Sequence, residues 1–354
     1  MDHRHPGPLP VRARRARAPG RDRTEGGGRR IQVPVVGFRW FEEARPGPRW
    51  QELFERTWPA YRRWFLSEGD GARPGLPECR RELARHMPEL IPMWEHLTAL
   101  AGSDEEAARM LSLVRPAAYL TGCSQAVWTH RSPMLVRNYD YRPDAFEGAV
   151  VLTRWHGTRV LATSDCLWGA LDGINEHGLS VALAFGGSRA VGPGFGIPLI
   201  VRYVLELCRT VEEAAAVLRR IPCHMTYNVT LVDASGDYAL AYLSPRRETE
   251  IVRERVCTNH QRTVEWREYV EATHSEERHR FLKQRLSRLR SADRFVAEFL
   301  QPPLYAARHA EGYGTLYTVL YRPETREAEF LWPQARVEQG IEAFSEMELR
   351  VGFG

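Results

Sequence analysis

The sequence predicts a layered α+β protein in which two antiparallel sheets are covered by helices. Three observations carry this. The chain before Cys123 is patterned at helical intervals, the chain from Cys123 to about Leu243 breaks into short apolar runs separated by turn signals, and a pair of helical segments interrupts those runs. At 354 residues and 43% hydrophobic, the chain is long enough to bury a large core as one large domain or two.

In chain order, Val33 to Gly37 reads as a strand. Trp50 to Glu68, interrupted by Pro59, and Glu78 to Ala101 read as amphipathic helices. Leu53, Phe54, Trp58, Tyr61, Trp64 and Phe65 recur at helical spacing, so these aromatics are core. Ser103-Asp104-Glu105-Glu106 opens a further helix, its acidic first turn matching the helix dipole. Two apolar runs beginning at Cys123 and Met134 flank a His-Arg-Ser-Pro turn and predict a hairpin. Gly148 to Arg154 and Thr158 to Thr163 flank Trp155-His156-Gly157 as a second hairpin. Gly178 to Phe185 is a strand ending at Gly186-Gly187. Pro198 to Leu207 and Val211 to Arg220 are helices, the second capped by Thr210. Tyr227 to Val232 and Tyr238 to Leu243 flank Asp233-Ala234-Ser235-Gly236-Asp237, a strong turn signal. Strands follow at Glu250 to Cys257, Thr315 to Tyr321 and Ala328 to Trp332, with helices between Ser275 and Leu300. No internal repeat is visible.

Charge excludes a nucleic-acid-binding surface. Residues 1–30 hold nine Arg and three acidic groups, a local +6 against +4 for the whole chain, so the remainder sums to −2. One Lys (Lys283) accompanies 48 Arg, a bias of base composition rather than of phosphate contacts. Residues 1–30 read as a disordered basic tail, or an over-long start, with no apolar core of a secretory signal. No apolar run is long enough to span a membrane. The six scattered cysteines form no C-x-x-C pair, which argues for reduced thiols in a cytoplasmic protein and against a disulfide framework or zinc site. No cofactor or metal is expected, and Gly192-Pro193-Gly194-Phe195-Gly196 is not a phosphate cradle.

The chemistry concentrates at Gly122-Cys123. The predicted hairpin returns Arg137-Asn138-Tyr139-Asp140 beside the cysteine, and fixed positive charge favours the nucleophilic thiolate. Arg137 and Asp140 are offset by three, hence on opposite faces of an ideal strand, so both line one site only if the strand bends or ends between them. Trp128, Tyr139, Trp155, Trp168 and Phe185 are candidates for an apolar acyl pocket, each equally readable as core.

The order Gly122-Cys123, Arg137-Asn138-x-Asp140, Gly173-Ile174-Asn175-Glu176-His177-Gly178-Leu179, Thr258-Asn259, Ser275-x-x-Arg278 and Thr315-Leu316-Tyr317-Thr318 resembles the penicillin acyltransferase (isopenicillin-N acyltransferase) branch of the N-terminal-nucleophile hydrolases. That branch is peptidase family C45, related to the choloylglycine hydrolases. The resemblance runs from about Val33 to Trp332. It implies a four-layer αββα sandwich made as a precursor that cuts itself between Gly122 and Cys123. Residues 31–122, mostly helical, become an α chain and residues 123–354 the catalytic β chain. The freed α-amine, with an ordinary pKa of about 7.7–8.0, then serves as general base at neutral pH. Gly122 lacks a Cβ, so a strained backbone and close attack are cheap there.

The resemblance also implies roles. Asp140 accepts a hydrogen bond from the α-ammonium, Arg137 favours thiolate or orients a polar substrate group, and Asn259 donates to the oxyanion. A second oxyanion donor is expected from backbone N–H groups near Phe185-Gly186-Gly187, where the bile-salt enzymes carry an asparagine that this chain lacks. Ser275 and Arg278 match positions near the site and read equally as a helix cap and a surface charge. Asn138 and Asn175 read as structural. His130 and His260 are rival bases, and an uncut thiol hydrolase using His260 stays open, as does a non-catalytic binding protein on the same scaffold. The expected substrate is a small-molecule amide or acyl-coenzyme A, coenzyme A entering only as part of an acyl donor.

Overall fold

The computed structural model describes residues 34–353. The basic tail at residues 1–30 lies outside them. The chain opens with strand β1 (Val35–Glu43) and four helices, α1 (Pro48–Phe65), α2 (Leu76–His86), α3 (Ile91–Leu100) and α4 (Glu105–Leu111). Six strands follow: β2 (Gly122–Trp128), β3 (Met134–Tyr141), β4 (Ala149–Thr153), β5 (Val160–Asp165), β6 (Gly169–Asn175) and β7 (Ser180–Phe185). The helix pair α5 (Ile197–Leu207) and α6 (Val211–Arg220) precedes β8 (Tyr227–Val232), β9 (Tyr238–Ser244), β10 (Arg247–Val252) and β11 (Val256–Cys257). Helices α7 (Arg267–Ala272), α8 (Ser275–Arg288) and α9 (Ala292–Ala297) lead to β12 (Gly314–Arg322), β13 (Glu327–Trp332), β14 (Ala335–Gly340) and β15 (Met347–Gly352).

Two sheets face each other. The larger has nine strands in the order β10-β9-β8-β7-β6-β5-β4-β1-β15, and the smaller six in the order β11-β2-β3-β12-β13-β14. Helices α5 and α6 pack on the larger sheet, α8 on the smaller one. The fold is therefore a four-layer αββα sandwich. Strand alternation sorts the smaller sheet cleanly. Cys123, Val127, Leu135, Tyr139, Tyr317, Val319, Phe330 and Trp332 turn inward to the main core, while Ala126, Trp128, Val136 and Leu320 turn outward against Leu282, Phe295 and Phe299 of the helical layer. Gln125 crosses the gap: its amide donates to the Leu183 carbonyl at 2.6 Å and its oxygen accepts from Thr230 at 2.6 Å, both on the larger sheet.

Local signals explain most elements. Asp104 caps α4 through Ala107 N at 2.8 Å, and Thr210 caps α6 through Glu213 N at 3.2 Å. Several boundaries differ from the sequence reading. The single helix expected over Glu78 to Ala101 is two, broken at Met87-Pro88, because proline clashes with the preceding turn and lacks the N–H to continue it. Helix α1 instead runs through Pro59. The strand expected over Glu250 to Cys257 is also two: the charged Arg253-Glu254-Arg255 step carries the chain from the larger sheet to the smaller. Strand β1 is longer than expected and pairs in parallel with β4, so the segment before Cys123 contributes directly to the larger sheet. Helix α7 and strands β6, β14 and β15 carried no signal that the sequence reading recognised. Among the described residues no helix is long and apolar enough to cross a membrane, and all six cysteines are buried free thiols.

Candidate active site

The β2–β3 hairpin sets Gly122 opposite Asp140 and Cys123 opposite Tyr139. On the other side of β3, β12 sets Thr315 opposite Asp140 and Tyr317 opposite Tyr139, with Leu316 as the extra residue of a bulge. The bulge lets both neighbours turn toward β3 partners: Thr315 donates to Asp140 Oδ1 at 2.6 Å, and Tyr317 accepts from Arg137 at 3.0 Å.

Cys123 is wholly buried, and each of its polar groups is held. Its sulfur lies 3.4 Å from Arg137 Nη2 and 3.6 Å from Thr121 Oγ1. Its N–H donates to Asn259 Oδ1 at 2.8 Å, and its carbonyl accepts from Arg278 Nη1 at 2.6 Å. Arg137 and Asp140 do lie on opposite faces of β3. The strand need not bend, because Gly122 and Cys123 begin β2 side by side: Arg137 meets the sulfur on the inter-sheet face, and Asp140 lies against Gly122 on the helical face. The expectation of a thiolate does not hold for the uncut chain. Burial pushes the Cys123 thiol up, outweighing the opposing Arg137 charge.

Arg137 is committed elsewhere as well. It forms a fully buried ion pair with Asp172 of β6, donates to the Leu183 carbonyl at 3.1 Å, and stacks on Tyr139 at 4.7 Å. Asp172 further accepts from Thr163 at 2.8 Å, Tyr317 at 2.6 Å and Tyr321 at 2.5 Å. Sequence reasoning missed Asp172. Its signal is an acidic residue inside the apolar run of β6, which costs too much to bury unless charge and hydrogen bonds meet it.

Asn259 is fully satisfied. Its amide donates to the carbonyls of Thr121 at 2.9 Å and Phe185 at 3.2 Å, while Oδ1 accepts from Cys123 N and, at 2.9 Å, from Arg278 Nη2. Arg278 is no surface charge. It is buried, donating also to Thr273 O at 2.9 Å and Ser124 Oγ at 2.7 Å, and lies 3.8 Å from Asp140. Asp140 is pushed up by burial, with Arg278 and the Thr315 hydroxyl opposing. Ser275 is not a cap: His274, in the left-handed region at φ 51°, holds that position. The Ser275 hydroxyl instead bonds Thr258 Oγ1 at 3.0 Å and His260 Nδ1 at 2.8 Å, fixing the loop that carries Asn259.

The geometry bears on two further expectations. Of the N–H groups near Phe185-Gly186-Gly187 expected as a second oxyanion donor, that of Gly186 donates to the Thr226 carbonyl at 2.9 Å. Gly187, at φ +74°, allows close approach instead: a Cβ there would meet the Asn259 carbonyl oxygen at 2.5 Å. The glycine pair thus seats the asparagine loop. His260, whose Nδ1 is engaged by Ser275 and, at 3.2 Å, by Thr258, makes no hydrogen bond to the sulfur among the described residues. His130 sits in the hairpin turn, at the end of β2 remote from Cys123. Of the pocket candidates, Tyr139 and Phe185 flank the site. Trp128 packs on Phe295 in the outer layer, Trp155 donates to Glu43 O, and Trp168 donates to Leu111 O.

Tyr313, unremarked in the sequence, stands over the peptide preceding Cys123. A Cβ on Gly122 would meet its hydroxyl oxygen at 1.8 Å and Asp140 Cβ at 2.9 Å. The lack of a side chain at Gly122 therefore serves this contact, not a strained backbone. The segment before Gly122 is also pinned: Tyr269 donates to Thr121 O at 2.8 Å, Trp64 to Ala118 O at 3.2 Å, and Tyr227 to Tyr119 O at 2.5 Å.

The model of the acyl-coenzyme A:6-aminopenicillanic acid acyl-transferase family matches residues 128–336, beginning just past Cys123 and including Arg137, Asp140, Asn259 and Arg278. No curated protein matches the chain in sequence. Solved structures similar to it include penicillin V acylase from Agrobacterium tumefaciens, 16% identical with a TM-score of 0.41, covering 64% of this chain and 91% of that one. An N-acylethanolamine-hydrolyzing acid amidase ortholog from Caenorhabditis elegans is 15% identical with a TM-score of 0.44, covering 65% and 100%. A conjugated bile acid hydrolase from Clostridium perfringens is 11% identical with a TM-score of 0.43, covering 66% and 97%.

Proposed function

Because the chain belongs to the acyl-coenzyme A:6-aminopenicillanic acid acyl-transferase family, we propose that it is a self-processing cysteine enzyme that cleaves or transfers acyl groups at amide or thioester bonds. The observation that carries this reading is that the sulfur, N–H and carbonyl of Cys123 are each held by a separate buried side chain: Arg137, Asn259 and Arg278.

In the first step the Cys123 sulfur attacks the Gly122 carbonyl carbon. The peptide C–N bond breaks, the thiol proton passes to the Cys123 nitrogen, and a thioester joins Gly122 to the sulfur. Water then releases the Gly122 carboxylate, leaving thiol and α-amine on one residue. Scission frees the chain end at Gly122, and only withdrawal of that end would carry away the Thr121 carbonyl, to which Asn259 Nδ2 donates at 2.9 Å. That donor then becomes available to the oxyanion of a substrate, and one such donor contributes roughly 3–4 kcal/mol of barrier lowering.

In the processed enzyme the α-amine takes the thiol proton as sulfur attacks the substrate carbonyl, and returns it to the departing group. Water or an amine then resolves the acyl-thioester. Arg137 stabilises the thiolate, Arg278 holds the Cys123 carbonyl, and Asp140 accepts a hydrogen bond from the α-ammonium. The acyl donor is a small amide, or an acyl-coenzyme A if transfer is the physiological reaction. The test is mass spectrometry after brief exposure to such donors. An adduct of one acyl group on the fragment beginning at Cys123, absent from Cys123→Ala, is expected; acyl turnover with no such adduct and no loss in Cys123→Ala would overturn the reading.

A further inference from the structure

A second buried cluster lies close to this centre, and the acyl chemistry does not use it. Glu147, in the loop before β4, and Asp165, at the end of β5, are both buried and are bridged by one hydroxyl. Tyr61 Oη lies 2.5 Å from Glu147 Oε1 and 3.2 Å from Asp165 Oδ1. The other Glu147 oxygen has no hydrogen-bond partner, and burial pushes this carboxyl up, with the Tyr61 hydroxyl, the Leu167 N–H and the Ser164 hydroxyl opposing. The two carboxyls belong to the wall of a cavity of about 570 Å³ to which Trp64, Tyr119, Tyr141 and Phe146 contribute aromatic faces.

The backbone here is strained. Cys166 and Leu167, at φ 54° and 74°, occupy the left-handed region that non-glycine residues avoid. Their N–H groups are aimed at the cluster, Cys166 N at Tyr61 Oη (2.9 Å) and Leu167 N at Glu147 Oε1 (2.7 Å). A strained turn is thus spent on orienting an acid pair. The cavity connects to the nucleophile through two residues: Tyr119, in its wall, bonds Tyr139 Oη at 2.7 Å, and Tyr139 is the cross-strand partner of Cys123.

We propose that this cavity is a binding subsite for a protonated amine, so that ligands carrying a primary ammonium on an apolar stem are recognised by the Glu147–Asp165 pair and its aromatic walls. An acid pair supplies the counter-charge, and tyrosine and tryptophan faces add cation–π attraction. Burial and the neighbouring Glu147 push Asp165 up to about 7, so without a cation the pair is only partly ionised at neutral pH. Arg56, Arg63 and Arg142 also face the cavity. Arg142 is paired with Asp144 at 2.7 Å and Arg56 donates to the Glu147 carbonyl at 3.2 Å; all three arginines are exposed, whereas Glu147 and Asp165 are buried.

The inference deepens the proposed acyl chemistry by naming a substrate class, and rests on it only for turnover. Binding of 2-phenylethylammonium to the full chain, compared with 2-phenylethanol by titration calorimetry near pH 6.5, tests it directly. The amine is expected to bind at least tenfold more tightly, with release of a proton detected by repeating the titration in a buffer of different ionisation enthalpy. Glu147→Gln and Asp165→Asn are each expected to cut amine binding at least tenfold, and to lower the kcat/KM ratio between ammonium-bearing and des-amino acyl donors. Equal binding of amine and alcohol by the unaltered protein, a comparison that needs no variant, would overturn the proposal. Amine binding without turnover of any donor would leave this subsite standing and count against the acyl reading instead.

Discussion

Replacing Gly122 with alanine tests how tightly the peptide before Cys123 is built. The added Cβ would lie 1.8 Å from Tyr313 Oη, 3.1 Å from its Cζ and 2.9 Å from Asp140 Cβ. Asp140 cannot yield, being fixed in β3 between Thr315 and Arg278, so Tyr313 must move. Overpacking of this kind costs about 1–3 kcal/mol, and a displacement on the order of 1 Å at a reacting centre costs about 100-fold in rate. Gly122→Ala is therefore expected to slow self-cleavage by about two orders of magnitude. Tyr313→Phe removes the atom at 1.8 Å but leaves the ring at 3.1 Å and Asp140 Cβ at 2.9 Å, so the double variant should recover part of the loss. That corresponds to a coupling of about 1–2 kcal/mol between the two sites. Rates come from denaturing electrophoresis of freshly made protein over time, and stabilities from urea unfolding of the same pair on a Cys123→Ala background. Gly122→Ala cutting at the unaltered rate, or Tyr313→Phe giving no recovery, would refute the reasoning.

Other consequences follow from the same contacts. Arg137→Met strands Asp172 as a buried charge with only hydroxyl partners and is expected to cost about 3–5 kcal/mol in urea unfolding; a loss under about 1 kcal/mol would show the pair to be dispensable. Asn259→Ala removes the donor at the Thr121 carbonyl position and frees the Cys123 N–H, so kcat in processed enzyme should fall about 100- to 1,000-fold, read by steady-state kinetics. Asp165 is raised to about 7 in the folded chain from its ordinary range near 4, so the folded state holds this proton where the unfolded chain has lost it. Its contribution is therefore present at low pH and lost as pH rises from about 4 through about 7. Asp165→Asn should accordingly stabilise the protein more at pH 8 than at pH 5 in urea unfolding, and an equal effect at the two pH values would count against the assignment.

Much of the site was legible because its side chains fall in ordered motifs: Gly122-Cys123, Arg137 and Asp140 on one strand, and Asn259 at a strand end. What the sequence did not disclose is what each contacts. Arg278 matches a motif position near the site yet reads equally as an exposed helix charge, because its partners, Cys123 and Ser124, lie over 150 positions earlier in the chain. Gly186 looked like a free backbone donor because the strand pairing that consumes its N–H is set by Thr226, across the helix pair α5–α6. The thiolate expectation counted the charge of Arg137 and not the cost of burial, which only packing reveals. The same holds for the fold. Hairpins with strong turn residues were readable, whereas β6, β14 and β15 have strand character mainly through their neighbours, and the step from β10 to β11 between sheets has no local signature.

The most direct test of the account is intact-mass measurement of freshly purified protein alongside an acyl-transfer assay. The prediction is two fragments, one ending at Gly122 and one beginning at Cys123, together accounting for the 40.6 kDa chain plus one water, with activity appearing as they form. Full activity in a single unbroken chain would contradict it.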